Sequence, residues 1–351
     1  MRAITQTTYG GPDRLSLAEV ARPTPGPRDV LIEVHASAVT QGDRRLRAGD
    51  FPGITWLPGR LAIGLTGPRQ PVCGTMFAGR VVERGAEVTR FSVGDAVFGS
   101  PGVGAWATHV AMPEDGSLAA MPAGLTFEEA ASLPYGGVTA LVFLGDLGQL
   151  APGEHVCILG ASGGVGRFAV QVARHMGAEV TAVSSRETHA LVRSLGADHV
   201  VDYRTQDFTQ TARPYDLVLD TVGTTSFRAC RRALSPTGRY LSLLVTARLL
   251  IDMLVTRLRG GQRAITGVAM DRPQELDELR ALAEAGVIRP VIDGVFPLEE
   301  IAKAHAHLES SATHGTVVVR VSDRSREVGT VTAATAAQAG RAGARGAGRR
   351  G

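Results

Sequence analysis

The run from 155 to 185 constrains this chain more than any other stretch. An apolar segment, His155-Val156-Cys157-Ile158-Leu159, enters a glycine turn, Gly160-Ala161-Ser162-Gly163-Gly164-Val165-Gly166. A run with helical spacing follows to Met176, and residues 180–183 form a second apolar segment ending at Ser184-Ser185-Arg186. Strand, glycine turn, helix and strand in this order make a βαβ unit of the kind that holds a dinucleotide. Glycine reaches φ > 0 cheaply and lets backbone N–H groups approach a pyrophosphate closely. The helix, opening near Gly164, adds unpaired N–H donors and the positive end of its dipole.

The pattern around this unit is α/β. Strands are expected at 155–159, 179–183, 199–201, 215–220, 239–243 and 263–268. Helices are expected at 164–176, 187–195, 225–234, 246–258 and 273–285. Strands separated by helices imply a doubly wound parallel sheet. Residues 1–122 read differently, as many short strands punctuated by Gly and Pro, which suggests a β-rich barrel. Within them, 41–71 looks like a long, irregular connection of the kind that serves as a lid or binding loop. Thr126 with Glu129 forms a capping-box signature, and Leu133-Pro134 is expected to break the helix that follows. After Pro290 a strand–helix–strand excursion is expected to rejoin the first domain. The divisions are thus 1–122 with 290–322, 123–289, and a tail at 323–351.

Charge is uneven. The formal net charge is +3. Six arginines against two acids put +4 on 323–351 and leave −1 on the other 322 residues. That tail is rich in Ala, Gly, Thr and Arg and has no aromatic residue, so it reads as disordered and basic. It is the only feature that favours nucleic acid as a partner, and the rest of the chain disfavours it. No apolar run reaches the roughly 18 residues of a membrane span, so no membrane partner is expected. The N-terminus lacks the apolar core of a signal peptide, and the three scattered cysteines fit reduced thiols. Both point to the cytoplasm.

Five separated segments resemble one family, the medium-chain dehydrogenase/reductases, in the zinc-independent branch of quinone oxidoreductases and enone reductases. Asp43-Arg44-Arg45-Leu46-Arg47-Ala48-Gly49 is similar to its D-x-x-x-R-x-G segment. Phe77-Ala78-Gly79-Arg80-Val81-Val82 is similar to its A-G-x-V strand, and Phe91-Ser92-Val93-Gly94-Asp95-Ala96-Val97 to F-x-x-G-D-x-V. Ala161-Ser162-Gly163-Gly164-Val165-Gly166 with Gln171 resembles its cofactor turn, and Leu195-Gly196-Ala197-Asp198 its L-G-A-D. The likeness covers about residues 1–321. It implies a GroES-like barrel domain beside a Rossmann domain, a cleft between them, NADP(H)-dependent hydride transfer and a homodimer.

The residues bear on the cofactor independently. NAD-binding units usually carry an acid at the end of the second strand, for the ribose 2′-OH. Here Ser184, Ser185 and Arg186 occupy that place, and hydroxyls with a guanidinium suit a 2′-phosphate. Relatives use a Tyr after the third strand, which Tyr203 resembles. They also place a Lys where this chain has Thr188. The expected cofactor-binding set is Thr139, Gly160, Ala161, Ser162, Gly163, Gly164, Val165, Gly166, Ser184, Ser185, Arg186 and Tyr203, with NADP(H) as cofactor. Three cysteines exclude a Cys₄ zinc site. The stretches that supply catalytic ligands in zinc-dependent relatives read Thr40-Gln41-Gly42-Asp43 and Gly74-Thr75-Met76-Phe77, so no zinc is expected. His35 and His109 read as strand histidines.

Without a metal, the chemistry that needs least help is hydride addition to a quinone or α,β-unsaturated carbonyl, whose charge delocalises as it forms. A hydrogen-bond donor would stabilise the developing oxyanion. By resemblance, Thr40 and Tyr135 are the candidate catalytic residues, with the Thr40 hydroxyl as donor to the acceptor. Phe51 and Trp56 are candidates for an apolar substrate wall, and Asp43 with Arg47 for a structural ion pair. Residues 41–71 and 249–258 are expected to set the acceptor. The alternatives are an alcohol or aldehyde reductase, an enoyl-thioester reductase and, outside enzymes, an NADPH-binding sensor or RNA-binding protein.

Overall fold

A computed structural model of the chain describes residues 1–269, 272–310 and 314–322; the basic segment 323–351 lies outside the described residues. Six strands, His155–Leu159, Glu179–Ser184, His199–Asp202, Tyr215–Asp220, Leu234–Ser242 and Arg263–Thr266, form one sheet in which every pairing is parallel. Numbered along the chain, they lie in the order third, second, first, fourth, fifth, sixth. The order reverses between His155–Leu159 and Tyr215–Asp220. In an open α/β sheet that reversal opens a crevice at the carboxyl ends of the strands. The glycine turn leaves the first strand at that point. All five residues of His155–Leu159 are buried, as the central strand of a sheet covered on both faces requires.

The other large sheet is built on the long strand Asp29–Val39. It pairs antiparallel with Phe77–Arg84, His109–Pro113 and Thr316–Arg320. Ile292–Pro297 lies parallel beside Thr316–Arg320, so the last described strands sit in the sheet that the first hundred residues build. Alternating Val30, Ile32 and Val34 pack with Phe77, Val97, Leu118, Val317 and Val319 in its core.

One helix joins the two sheets. Phe127–Leu141 starts at the Thr126/Glu129 capping box, with Glu129 N–H donating to Thr126 Oγ1 at 3.2 Å. The expected break at Leu133-Pro134 does not occur. The helix runs through Pro134, because the burial of most of its residues compensates the N–H hydrogen bond that proline removes. Its Leu133, Val138 and Leu141 share a core with Ala36, Ala78 and Val318 of one sheet and Val156 and Ile158 of the other. Together with its π-helical continuation, Val142–Leu147, it is long and apolar enough to cross a membrane, but it lies mostly buried inside the fold.

Other boundaries moved. The segment 41–71 is not an irregular connection: it holds the helices Gln41–Ala48 and Trp56–Ile63. The first is made by a second capping box, Thr40 with Asp43, and ends at Gly49 with φ +62°. The glycine-turn helix spans Gly166–His175 and starts two residues later than its spacing predicts. The helix expected at 225–234 shortens to Phe227–Cys230, because the strand after it begins at Leu234.

Candidate active site at the glycine turn

Two glycines of the turn are needed for its shape. Gly160 has φ +72°, and a Cβ there would meet Thr221 Oγ1 at 2.7 Å and overlap Val222. A Cβ at Gly166 would overlap the Gly160 carbonyl oxygen and lie 2.7 Å from Ala161 Cα. The other two, Gly163 and Gly164, are exposed; a Cβ on Gly163 would lie 3.1 Å from the Gly160 carbonyl oxygen, whereas the nearest heavy atom to a Cβ on Gly164 is Tyr135 Cε1 at 4.0 Å. The amides of Gly160 and Ala161 both donate to Val183 O at 3.1 Å, and Gly163 N–H donates to Gly160 O at 2.9 Å. An anion would therefore meet the amides that follow, at the unpaired start of the helix. Ala161 and Val165 are buried supports, and Ser162 presents its carbonyl to Arg167 Nη1 at 2.8 Å. Buried Arg167 also donates to Thr316 Oγ1 at 3.3 Å, tying the turn to the other sheet. Gln171 fastens the same helix to the chain at Arg289, accepting from its N–H at 2.8 Å.

Tyr135 brings the two sides together. Its ring lies 4.0 Å from the Cβ position of Gly164 and 3.1 Å from that of Gly42, at the start of the helix Gln41–Ala48. Burial raises its phenol pKa above 10, so it is a protonated donor at neutral pH. Thr139, one turn on, donates to Tyr135 O at 2.6 Å, which orients its hydroxyl along the helix. Thr40 Oγ1 lies 3.3 Å from the Cβ position of Gly42, next to the same ring.

The role expected for Thr40 needs correcting. Its hydroxyl donates its only proton to Asp43 Oδ2 at 2.6 Å and accepts from Asp43 N–H at 3.1 Å. While Asp43 is ionised, Thr40 has no proton for an acceptor. Asp43 Oδ1 accepts from Thr75 Oγ1 at 2.9 Å. Burial raises the Asp43 carboxyl to about 6, against the lowering effect of the Thr40 and Thr75 hydrogen bonds. The expected Asp43–Arg47 pair also fails to form. The capping box turns Asp43 back to the helix start, and Arg47 Nη2 pairs with Glu309 at 2.7 Å. Sequence reading missed Thr75, which lies 32 residues from Asp43.

At the end of the second strand, Ser184 is buried and Ser185 half-buried, while Arg186 and Tyr203 are exposed. Asp202 pairs in register with Ser184, which brings Tyr203 to the end of the neighbouring strand. The nearby acid, Glu187, is held low, at about 2, by its own backbone amide, the Ser185 hydroxyl and Arg204. Arg204 Nη1 lies 2.8 Å from Glu187 Oε1. Sequence reading missed Arg204, a second cation next to Tyr203 in the chain, whose meeting with Glu187 depends on the alignment of the two strands. Phe51 is a loop anchor, its ring packed under Gly59, whereas Trp56 is about half exposed. His35 is a buried strand residue with its ring 4.3 Å from that of Phe127, and His109 opens the strand His109–Pro113.

Comparisons with known proteins agree with this architecture. Residues 26–123 match the family model described as alcohol dehydrogenase GroES-like domain, and 195–319 match that described as zinc-binding dehydrogenase. The chain is 32% identical over 325 residues to the mitochondrial NAD(P)H oxidoreductase RTN4IP1 of Homo sapiens, covering 84% of this chain and 82% of that protein. It is 31% identical over 338 residues to the quinone oxidoreductase of Pseudomonas aeruginosa, covering 91% and 99%. The solved structure of the quinone oxidoreductase from Coxiella burnetii superposes with a TM-score of 0.80 at 30% identity, covering 92% and 99%. The zinc in the second model's description finds no donor set around Asp43. Its neighbours are the hydroxyls of Thr40 and Thr75, which are poor substitutes for thiolate and imidazole. Burial and the Asp43 charge push the Cys73 thiol up to about 12, away from a thiolate. Among the described residues no three His, Cys, Asp or Glu side chains converge. With both family models matched and near full-length relatives at 30% identity or more, the chain belongs to the medium-chain dehydrogenase/reductase superfamily, as a quinone oxidoreductase-like member.

Proposed function

We propose that this protein is an NADPH-dependent oxidoreductase that reduces a quinone or α,β-unsaturated carbonyl by two electrons. The observation that carries the reading is the position of Tyr135: one protonated phenol borders both the open glycine turn and the Thr40–Asp43–Thr75 cluster. The pyrophosphate would lie on Gly163, Gly164 and the start of the helix Gly166–His175. The 2′-phosphate would meet Ser185, Arg186, Tyr203 and Arg204. A bound reduced nicotinamide supplies the hydride. Tyr135 donates a hydrogen bond to the acceptor oxygen as charge develops there, and Thr139 orients the helix turn that holds it. Thr40 and Asp43 shape the floor beside that donor. The names of the relatives support the acceptor class, and the exposed cations at the second strand's end support NADP over NAD.

The test is loss of reduced-nicotinamide absorbance with a quinone, an enone, an aldehyde and an enoyl thioester, each with NADPH and NADH. Turnover is expected with the first two. Arg186→Glu with Arg204→Glu is expected to lower the preference for NADPH over NADH by at least about tenfold, since each replaces a charge-assisted contact with repulsion. An unchanged preference rejects the 2′-phosphate assignment. Turnover of only the aldehyde or the thioester rejects the acceptor class.

A further inference from the structure

The helix Gln41–Ala48 carries three arginines, and acids pair with two of them. Arg47 Nη2 lies 2.7 Å from Glu309 Oε1, and Arg44 lies 3.9 Å from Asp50 and 4.0 Å from Glu309. Arg45 has no acid partner among the described residues. The one acid of its own helix, Asp43, is engaged through both carboxylate oxygens, by Thr40 and Thr75. Arg45 is also half-buried. A guanidinium held partly out of water without a counter-ion is costly, which makes its position favourable for an anion that a ligand brings.

The place of Arg45 says which ligand. It follows Gly42 by three residues, so the two share one face of the helix. That face meets Tyr135, whose Cε2 lies 3.1 Å from the Cβ position of Gly42. The Arg45 charge is felt at the phenol: burial raises the Tyr135 pKa, and the largest effect opposing that rise is the Arg45 guanidinium. The cation thus stands beside the group that the proposed reaction uses as hydrogen-bond donor. We propose that Arg45 determines specificity at the acceptor site, and that the acceptor is a quinone or enone bearing a carboxylate or a similar anionic group. Arginine suits this task, because its planar fork of donors matches a carboxylate. The cofactor's phosphates are the other source of negative charge, and the geometry disfavours them. Gly164, where the pyrophosphate would lie, borders the opposite edge of the Tyr135 ring, 4.0 Å from Cε1. The ring therefore separates the glycine turn from the side that carries Gly42 and Arg45. The inference rests on the proposed reduction of a quinone or enone and narrows its substrate.

The test measures kcat/KM with NADPH for two matched pairs of acceptors: naphthoquinone with naphthoquinone sulfonate, and benzylideneacetone with its para-carboxylate. The native chain is expected to favour the charged member of each pair by about tenfold or more, the effect of one charge-assisted contact. Arg45→Met keeps an unbranched side chain without the charge and is expected to erase that ratio, whereas Arg45→Lys should keep part of it. Added salt should raise KM for the charged members alone. Rescue by lysine and a salt effect confined to the charged acceptors are signs that a merely structural arginine would not give. Calorimetric titration of naphthoquinone sulfonate, with oxidised NADP present, separates the site from the reaction. Binding about tenfold weaker to Arg45→Met than to the native chain supports the assignment. It does so even if no acceptor is turned over, a result that rejects the proposed reaction alone. Equal binding to the two overturns the proposal. So does equal kcat/KM within each pair for the native chain, or a charged-member preference that survives in Arg45→Met. If that surviving preference comes with weakened NADPH binding, Arg45 belongs to the cofactor instead.

Discussion

Asp43 carries a folding cost that can be measured. Its carboxyl is raised to about 6 from an ordinary 3.8, because burial opposes the charge more strongly than the Thr40 and Thr75 hydrogen bonds support it. A folded-state pKa above the unfolded one means that the protonated form favours folding. That contribution is complete below the unfolded pKa and is lost as pH rises through the folded one. The gap corresponds to about 3 kcal/mol. Asp43→Asn does not titrate. The difference in unfolding free energy between native protein and this variant is therefore expected to move against the native protein by up to about 3 kcal/mol between roughly pH 4 and pH 7. Urea titrations at both pH values measure it, and a difference that stays constant would show that Asp43 ionises freely. The turn glycines make a paired prediction at the same scale. Gly166→Ala places a Cβ on the Gly160 carbonyl and is expected to cost about 1–3 kcal/mol by overpacking. Gly164→Ala has 4.0 Å of clearance, so it should leave thermal stability unchanged while weakening NADPH in a fluorescence titration. Equal stability losses in the two variants would argue against the open-cradle reading.

Among the elements, Phe127–Leu141 transmits position from one sheet to the other. Gly136 is where it comes closest to the cofactor turn, since a Cβ there would overlap Gly164 O and the Phe168 ring. Gly136→Ala is expected to destabilise by about 1–3 kcal/mol. Unlike a remote core variant of equal cost, it should also raise the Kd for NADPH, because the displaced atom is in the turn itself. Measuring stability and affinity on the same variant separates the two effects. The element level also shows how far periodicity reaches. Both capping boxes lie within four residues, and their signatures are local, so the helix start at Thr126 was readable. The Thr40/Asp43 box has the same form with Asp in place of Glu, and the Gly and Pro of 41–71 mask it in the sequence. Periodicity in 246–258 points to a helix, and Asp252 with Arg257 suggest one solvated face. The structure buries Asp252 instead, because which face turns inward depends on what the sheet offers. Asp252 went inside because Arg228 and Arg248 were there to pair with it.

At the scale of the whole molecule, the strand Thr316–Arg320 ties the two sheets together. Arg167 reaches Thr316 from the glycine-turn helix, and Arg320 reaches Glu128, at the start of the joining helix, with two nitrogens at 3.2 and 3.3 Å from Oε1. Arg320→Ala leaves the nearly buried Glu128 carboxylate without this partner. A loss of about 2–4 kcal/mol is expected in denaturant unfolding, most of it from the stranded charge. Arg320→Ala with Glu128→Gln should recover part of it, and a double variant no better than the single one would reject the pairing as the cause.

The sequence by itself determined what depends on neighbours along the chain: the strand–glycine turn–helix unit, the helix start at Thr126, the strand periodicities and the presence of hydroxyls and Arg186 where an acid would suit NAD. These are short-range properties, set by backbone sterics and by side chains within a turn of one another. Tertiary structure decided which groups meet. Asp43 met Thr75 rather than Arg47, Glu187 met Arg204 across 17 residues, and Tyr135 came to lie between Gly42 and Gly164. Those pairings follow from strand order and from one helix buried against two sheets. Burial then raised the pKa values of Asp43 and Tyr135, a shift no local pattern encodes, because the cost of a charge depends on everything that excludes water from it.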